Sequence, residues 1–581
     1  MRRFGLPRSS IIGTVFGASA VVGLSAVYAF VDPDGLDRLL GQAPSASSSD
    51  GSGASCCSAL GASPVPMPEA CALSAIEASD ASFHGEPAEA GVPSCCATGV
   101  SRAALIASAS SPEAAEGASG AITAAISPEG AEIAAVAEAG GDRVPTFSAD
   151  IAPMLRKHCQ ECHRPGQIAP FPLLSYEDAR KHGPDLATVT LDRRMPPWLA
   201  APDFGAVGFR HDRSLTEAEI DTFQAWVDAG MPEGDPADLP PSPEFSEGWT
   251  LGEPDVIIEM PEPFEVPAGG LDIHRCFVIP NPLPEDAEII GIEYRPGNPR
   301  VVHHILGYID ISGAARKRDA QDELAGYECQ GGPMIDIRGD LGGWAPGANA
   351  DFLPEGIGRI LPKGSDIVVQ VHYHPSGKPE TDLTRIGLHL APKSSPIKQA
   401  LHWWAAGNME FTIPKGQKGV EVVGDTLPLP CDVELHAVSP HMHLLGTDMT
   451  MFAETPSGDR IDLIRIDRWD FNWQLQYMLE RPVFLPAGSV VKAVAHYDNT
   501  AENPNQPVSP PVDVHFGDWT TDEMCFGFFA ATKAGQDLTR GDPDDLHLLF
   551  RNQLRDASER LEQERRSRGT IAEDAGEAGR E

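Results

Sequence analysis

Positive charge is scarce in this chain. Its 581 residues hold 44 lysines and arginines against 84 aspartates and glutamates, a formal net charge of −40. That deficit argues against a nucleic-acid partner, because binding a phosphate backbone needs a basic face. Charge of either sign is absent from Ser9 to Val31, behind Arg2, Arg3 and Arg8. A basic flank followed by an apolar run reads as an export signal, and Val27-Tyr28-Ala29 offers small residues for cleavage. The run is also nearly long enough to span a bilayer. Residues 1–40 are therefore a signal peptide or a membrane anchor, with residues 9–31 as the anchoring segment. Either way, the body of the protein is expected in the periplasm or on the outer face of the cytoplasmic membrane.

Aromatic residues almost vanish between Gly41 and Gly141, where Ala, Ser, Gly, Pro and Glu dominate. Such a composition cannot bury enough apolar surface to offset its ordering entropy, so residues 41–143 read as a disordered linker. Five of the 11 cysteines fall there: Cys56, Cys57, Cys71, Cys95 and Cys96. No histidine-cysteine spacing around them specifies a metal or a cross-link.

At 581 residues the chain is long enough for three to four domains. Order is expected to return near Val144. There Cys159-Gln160-Glu161-Cys162-His163 carries the spacing of covalent haem attachment, with two thiols for the haem vinyls and His163 as axial ligand. A redox dithiol would need a βαβ context, and a zinc site a second ligand pair nearby; neither is present. Met195, in Arg194-Met195-Pro196-Pro197-Trp198, is the choice for sixth iron ligand, with Met154, His182 and Met231 as rivals. Thr216 and Glu219 start a capped amphipathic helix carrying Phe223, Trp226 and Val227. Residues 144–238 thus resemble a small all-α, class I-like cytochrome c domain.

Beyond the bridge Leu239-Pro240-Pro241-Ser242-Pro243, short apolar runs are broken by Pro, Gly, Asn and Asp. Val256-Ile257-Ile258, Ile367-Val368-Val369-Gln370-Val371 and Val490-Val491-Lys492-Ala493-Val494 are examples. This pattern predicts two consecutive jelly-roll-like β-sandwiches, over 250–400 and 401–540. Residues 541–581, with Leu546, Leu549 and Leu554 among dense charges, read as one exposed helix and a frayed acidic tail without a catalytic part.

Histidines in the β region arrive in groups: His303-His304, His372-Tyr373-His374 and His441-Met442-His443, with Met524 later. A pair at i and i+2 on a strand points to one face and can converge on one ion. Adjacent His303 and His304 need a bulge, or different ring nitrogens, to do the same. Imidazole suits Cu, Zn or Ni, and a thioether favours Cu(I). No Glu-x-x-His or His-Glu-x-x-His pattern supports a zinc hydrolase or a di-iron site.

Val301-Val302-His303-His304-Ile305-Leu306, Gln370-Val371-His372-Tyr373, His441-Met442-His443-Leu444-Leu445-Gly446 and Glu523-Met524-Cys525-Phe526 resemble, in order, the signatures of the copper type II, ascorbate-dependent monooxygenases. Gly343-Trp344-Ala345-Pro346-Gly347 and Asp470-Phe471-Asn472-Trp473-Gln474 resemble further landmarks of that family. The resemblance spans roughly residues 250 to 535. It implies two copper ions: His303, His304 and His372 would hold the electron-storing one, and His441, His443 and Met524 the one at which dioxygen and the C–H bond meet. His374 stands as an alternative to His372. His402, His436, His496 and His515 have no counterpart in the resemblance and read as structural or as supports behind the ligands.

Three positions depart from the peptide-amidating branch, where substrate-anchoring arginine, asparagine and tyrosine are expected: here they are Ser439, Phe526 and Phe528. A substrate carboxylate would lose its partners at those places, so an apolar or aromatic small molecule is expected. Partners are then that substrate, dioxygen, and an electron-donor protein or ascorbate-like reductant, with electrons entering through one covalently attached haem c. A non-catalytic copper-binding or electron-transfer protein is the competing reading. The four remaining cysteines, Cys276, Cys329, Cys431 and Cys525, suit two disulfides of open connectivity.

Overall fold

The computed structural model describes residues 143–560, apart from positions 166, 168, 244, 246, 247, 330 and 349, together with residue 563. The N-terminal segment 9–31 and the five linker cysteines lie outside the described residues, as does the chain beyond residue 563. No helix among the described residues is long and apolar enough to cross a membrane.

The first described region is helical, with α1 at Ala152–His158, α2 at Tyr176–Lys181, α3 at Gly183–Leu191 and α4 at Glu217–Asp228. Ser175 with Asp178 and Thr216 with Glu219 form capping boxes at the starts of α2 and α4, satisfying backbone N–H groups that the first turn leaves open. Ile220, Phe223 and Trp226 recur at helical spacing on α4 and bury against Ile151 and Leu155.

The rest of the described chain is mainly β with few helices, an arrangement consistent with a β-sandwich. In its first half, β1 (Ile273–Pro280), β2 (Val302–Asp310), β3 (Gly339–Trp344) and β4 (Asp366–Tyr373) lie in one five-stranded sheet, in the order Tyr327–Glu328, β1, β4, β2, β3. A second five-stranded sheet packs on it, and Ile305, Val369 and Val371 from the first share a core with Ile289, Ile386 and Leu388 from the second. β4 is buried along its whole length. Because side chains alternate, Ile367, Val369, Val371 and Tyr373 enter that core and His372 is left on the opposite face.

The second half is also consistent with a sandwich. Here β5 (His402–Asn408), β6 (Val433–His441) and β7 (Cys525–Lys533) belong to a single eight-stranded sheet, in the order Arg460–Ile466, Gly446–Glu454, Val490–Asp498, Lys418–Asp425, β5, β7, β6, Tyr477–Leu485. β5 pairs with β7 along its whole length but meets the Lys418–Asp425 strand only at Gly407 and Asp425, so four strands lie on each side of that junction. Both sets of four send residues into one core, among them Ala406, Val422, Val438, Met451, Ile464, Leu479, Val491 and Phe529.

Two further segments seal this half. Residues after α3 run across its edge: Ala200 bridges Ile466, Phe209 bridges Leu479, and the Trp198 ring packs edge-on against Tyr477 at 5.0 Å. The C-terminal helix α5, over 546–560, is also not the exposed element its charges suggested. Leu546, Phe550, Leu554 and Ala557 are buried, and Phe550 stacks on Trp404 at 4.3 Å. Spacings of three and four give this helix an apolar stripe that only tertiary contact reveals as covered.

The expectation of two disulfides also needs correcting. Of the four cysteines of the β region, Cys276 and Cys329 are the pair that meets, buried with 2.7 Å between sulfurs. Cys431 and Cys525 cannot pair. Cys431 lies two residues before Val433, which pairs with Lys533, and Cys525 sits at the other end of that same strand. Eight residues of strand separate the two places by about 26 Å, far beyond the span of a disulfide.

Candidate metal-binding cavity

A cavity of about 560 Å³ lies between the two β halves, lined by His303, His304, His372, His441, His443 and Met524 but not by the alternative His374. Two groups of side chains converge there.

The first group stands on β2 and β4. A bulge between Val302 and His304 leaves His303 without a ladder partner, while His304 pairs with His372. The extra residue turns both neighbouring histidines toward one face, which a regular strand forbids. Nδ1 of His304 lies 3.3 Å from Nδ1 of His303 and 3.4 Å from Nδ1 of His372. Two nitrogens each about 2.0 Å from one ion, at trigonal to tetrahedral angles, stand roughly 3.3 to 3.5 Å apart, so the three fit a single metal. Burial among like neighbours pushes His303 down to about 3 and His304 well below the ordinary imidazole value. Neutral imidazole is the form that binds a metal.

Two residues that sequence reasoning did not single out complete this group. Asp272 stands 3.2 Å from Nε2 of His372, off the line of a straight hydrogen bond, and accepts from Nδ1 of His374 at 2.7 Å and from the Thr520 hydroxyl at 3.1 Å. His374, largely exposed, is therefore held by the carboxylate that backs His372 and stands outside the convergent three. His274, paired with His372 across β1 and β4, stacks on its ring at 4.1 Å. A histidine facing a ligand across a strand pair was present in the sequence, but the register was not.

The second group stands at the end of β6 and the start of β7. His441 pairs with Phe526, and the His441 and His443 rings meet at right angles, 5.3 Å between centroids. Nδ1 of His441 lies 2.7 Å from Oε1 of Gln474, and Nδ1 of His443 lies 3.1 Å from the Asp522 carbonyl. Each bond ties up one ring nitrogen and leaves Nε2 as the one open to a metal. Burial lowers His441 to about 4 and His443 to about 3. Glu523, fully buried, accepts from the backbone N–H groups of His443 at 2.8 Å and Met524 at 3.2 Å. One carboxylate thus fixes the spacing between the histidine turn and the methionine. The Tyr497 hydroxyl donates to the Met524 carbonyl at 2.7 Å and holds the same turn from behind.

Around this group the wall is apolar. The Phe526 and Phe528 rings pack at 5.5 Å, and Phe528 lies 6.0 Å from the His441 ring. The Ser439 hydroxyl donates to the Leu475 carbonyl at 3.2 Å. Phe471 joins the two groups: its ring stacks on His303 at 5.1 Å and meets His443 edge-on at 5.9 Å.

The haem-motif residues lie apart from this cavity. Cys159 and Cys162 fall within one turn after α1, with the N–H groups of Cys162 and His163 both donating to the Cys159 carbonyl. Nδ1 of His163 lies 3.1 Å from the Phe171 carbonyl, which leaves Nε2 free for an axial bond, so the donor set fits a covalently held haem. Phe171 makes ring contact with both His163, at 4.8 Å, and His182, at 3.8 Å. Met195 is half-buried, with its N–H on the Val189 carbonyl, and it belongs to neither ring contact. Met154 and Met231 pack against the helical core.

His436 bonds the Thr532 hydroxyl at 3.0 Å, His496 bonds Asp448 at 2.7 Å, and His515 bonds the Thr412 hydroxyl at 3.0 Å. His402 reaches Asp544 at 2.7 Å and lines the cavity.

No family model matches the chain. Over 257 residues it is 24% identical to peptidyl-glycine alpha-amidating monooxygenase A of Xenopus laevis, a match covering 42% of this chain and 25% of that protein's length. Among solved structures, the phage PM2 capsid protein P2 is similar at TM-score 0.20 and 9% identity, covering 50% of this chain and 100% of its own. PNGase F is similar at 0.22 and 9%, covering 48% and 97%. Likenesses of that size carry no argument about fold or function. What stands is the sequence match: over those 257 residues the chain is distantly similar to an amidating monooxygenase.

Proposed function

We propose that this chain is an extracytoplasmic, copper-dependent monooxygenase that hydroxylates a C–H bond of a small, apolar or aromatic substrate. The observation that carries the reading is the opposition, across one cavity, of three convergent histidines and a His-Met-His turn with Met524 beside it. The monooxygenase likeness supports the same class.

Copper held by His303, His304 and His372, and by His441, His443 and Met524, would supply dioxygen chemistry and storage for one electron at each site. Inserting one oxygen atom into C–H and reducing the other to water takes two external electrons and two protons. The protein's own part is positional. Gln474 and the Asp522 carbonyl hold His441 and His443 in single orientations, and Asp272 backs His372. Phe526, Phe528 and Pro440 shut water away from the substrate side of this turn and leave it an apolar seat.

In this reading the Cys159, Cys162 and His163 motif binds one haem c, with Met195 as sixth ligand, and relays electrons from a donor protein or ascorbate-like reductant. Arg213 supports continuity between the two parts: its guanidinium donates to the Gly347 carbonyl at 3.2 Å. A Cβ at Gly347 would meet the Trp473 ring at 3.1 Å, and Trp473 is two residues from Phe471.

The test is metal analysis with oxygen uptake. Two coppers and one haem per chain, with uptake that depends on substrate, is the expected result. Copper without uptake across a broad panel of aromatic compounds would instead mark a binding or electron-transfer protein. Comparing metabolites of a His441→Ala strain with wild type, for a missing gain of one oxygen, would name the substrate.

A further inference from the structure

The cavity continues well past both ligand groups. Along β7, Phe526 pairs with His441, and Ala531, five residues on, pairs with His402. At about 3.3 Å per residue, His402 lies roughly 16 Å from the level of His441. On the facing wall, Trp344 pairs with Ile305 beside the first ligand group, and Gly339 pairs with Ile309, so β3 leads away to Arg338. β3 and β5 thus bring Arg338 and His402 to one end, where α5 adds His547 and Arg551 to the lining.

That end is rich in donors and poor in free acceptors. Asp544 already takes Nε2 of His402 at 2.7 Å and the Arg338 guanidinium at 3.2 Å. Asp340 takes the backbone N–H groups of Trp403 and Gly342, both at 3.0 Å, and the Arg359 guanidinium at 3.4 Å. Arg551 reaches Asp336 only at 3.6 Å. Trp403 lines the same end, while the Trp404 ring stacks on Phe550. In a chain with nearly twice as many acidic as basic residues, two arginines at one cavity end are not a consequence of composition.

We propose that this end binds the carboxylate head of an amphiphilic acid. The apolar body of the acid would run along Trp403, Phe528 and Phe526 to the His441, His443 and Met524 turn. The proposal rests on the monooxygenase reading and narrows its substrate class to one with an anion roughly 10–16 Å from the oxidised carbon. Arg551 and Arg338 would donate charge-assisted hydrogen bonds to the head. The apolar seat beside His441 then selects the body, which reconciles an acidic substrate with the missing anchors at Ser439, Phe526 and Phe528.

The test is titration calorimetry on the full-length chain, under nitrogen and without reductant, with decanoate and decanol as probes. Decanoate should bind about tenfold or more tighter than decanol. Arg551→Gln should abolish that preference while leaving decanol binding and copper content unchanged, and Arg551→Lys should restore part of it. Arg338→Lys provides a second variant that keeps a charge beside Asp544. Equal affinities for acid and alcohol in the wild type, or an unaltered preference in Arg551→Gln, overturns the head site. Because binding is read without turnover, the two readings separate. A preference for decanoate with no oxygen uptake sinks the monooxygenase alone, whereas uptake with neutral apolar substrates and an indifferent Arg551→Gln sinks the head site alone.

Discussion

Phe471 lies parallel to His303, 5.1 Å between ring centres, and the same phenyl ring meets His443 edge-on. It is a side chain from the second half of the β region inserted against a candidate ligand of the first. Phe471→Ala should leave metal stoichiometry intact while opening a water path between the two groups. The expected outcome is a several-fold rise in peroxide released per dioxygen consumed, measured against product formed. Unchanged coupling would show that the ring only fills space.

Asp272 and His374 separate the two candidate ligands on β4. Asp272→Asn should weaken metal binding at the first histidine group by about 10- to 100-fold, because His372 loses the carboxylate behind it. His374→Ala should leave affinity and stoichiometry unchanged. Copper titration monitored by the spectrum of the bound metal distinguishes them. A loss of one metal in His374→Ala would reverse the assignment.

Copper uptake should resist acid. An unperturbed histidine takes its proton near 6.5, whereas burial pushes His303 and His443 down to about 3 and His441 to about 4. Protons compete with the metal only below the folded value, so uptake should stay flat from about pH 7 to 5 and fall below about 4. The same shifts work against the apoprotein. The unfolded chain accepts protons first, so stability of the metal-free form drops as pH falls from about 6.5 toward 3 to 4. Equilibrium dialysis and thermal melts over that range test both signs.

Thiol titration of the unreduced, denatured chain should return Cys431 and Cys525 as thiols. In the native protein the half-buried Cys431 should react with a small alkylating reagent, and Cys525, whose side chain sits in the sheet core, should not. Recovery of a peptide cross-linked between the two would require a different path for β7.

Pattern and spacing alone carried much of this protein. The adjacent and alternate histidines, the Cys-x-x-Cys-His motif and the mainly β character depend on residue type and local period, which the sequence displays directly. The rest depended on register and on distant pieces of chain meeting. The bulge that turns His303 and His304 together exists because His304, and not His303, pairs with His372, a choice made between strands. Asp272 carries no motif, and Gln474 and Glu523 stand in theirs without a stated role; all three matter through the imidazoles and backbone groups they meet. In the second half two sets of four strands close on one core and touch at a single pair, Gly407 with Asp425, and the helix over 546–560 became a cavity wall because its apolar stripe found Trp404. Local chemistry therefore determined which groups this protein brings to its cavity. Long-range pairing decided which of them face one another, since contacts across hundreds of residues leave no trace in the order of a chain.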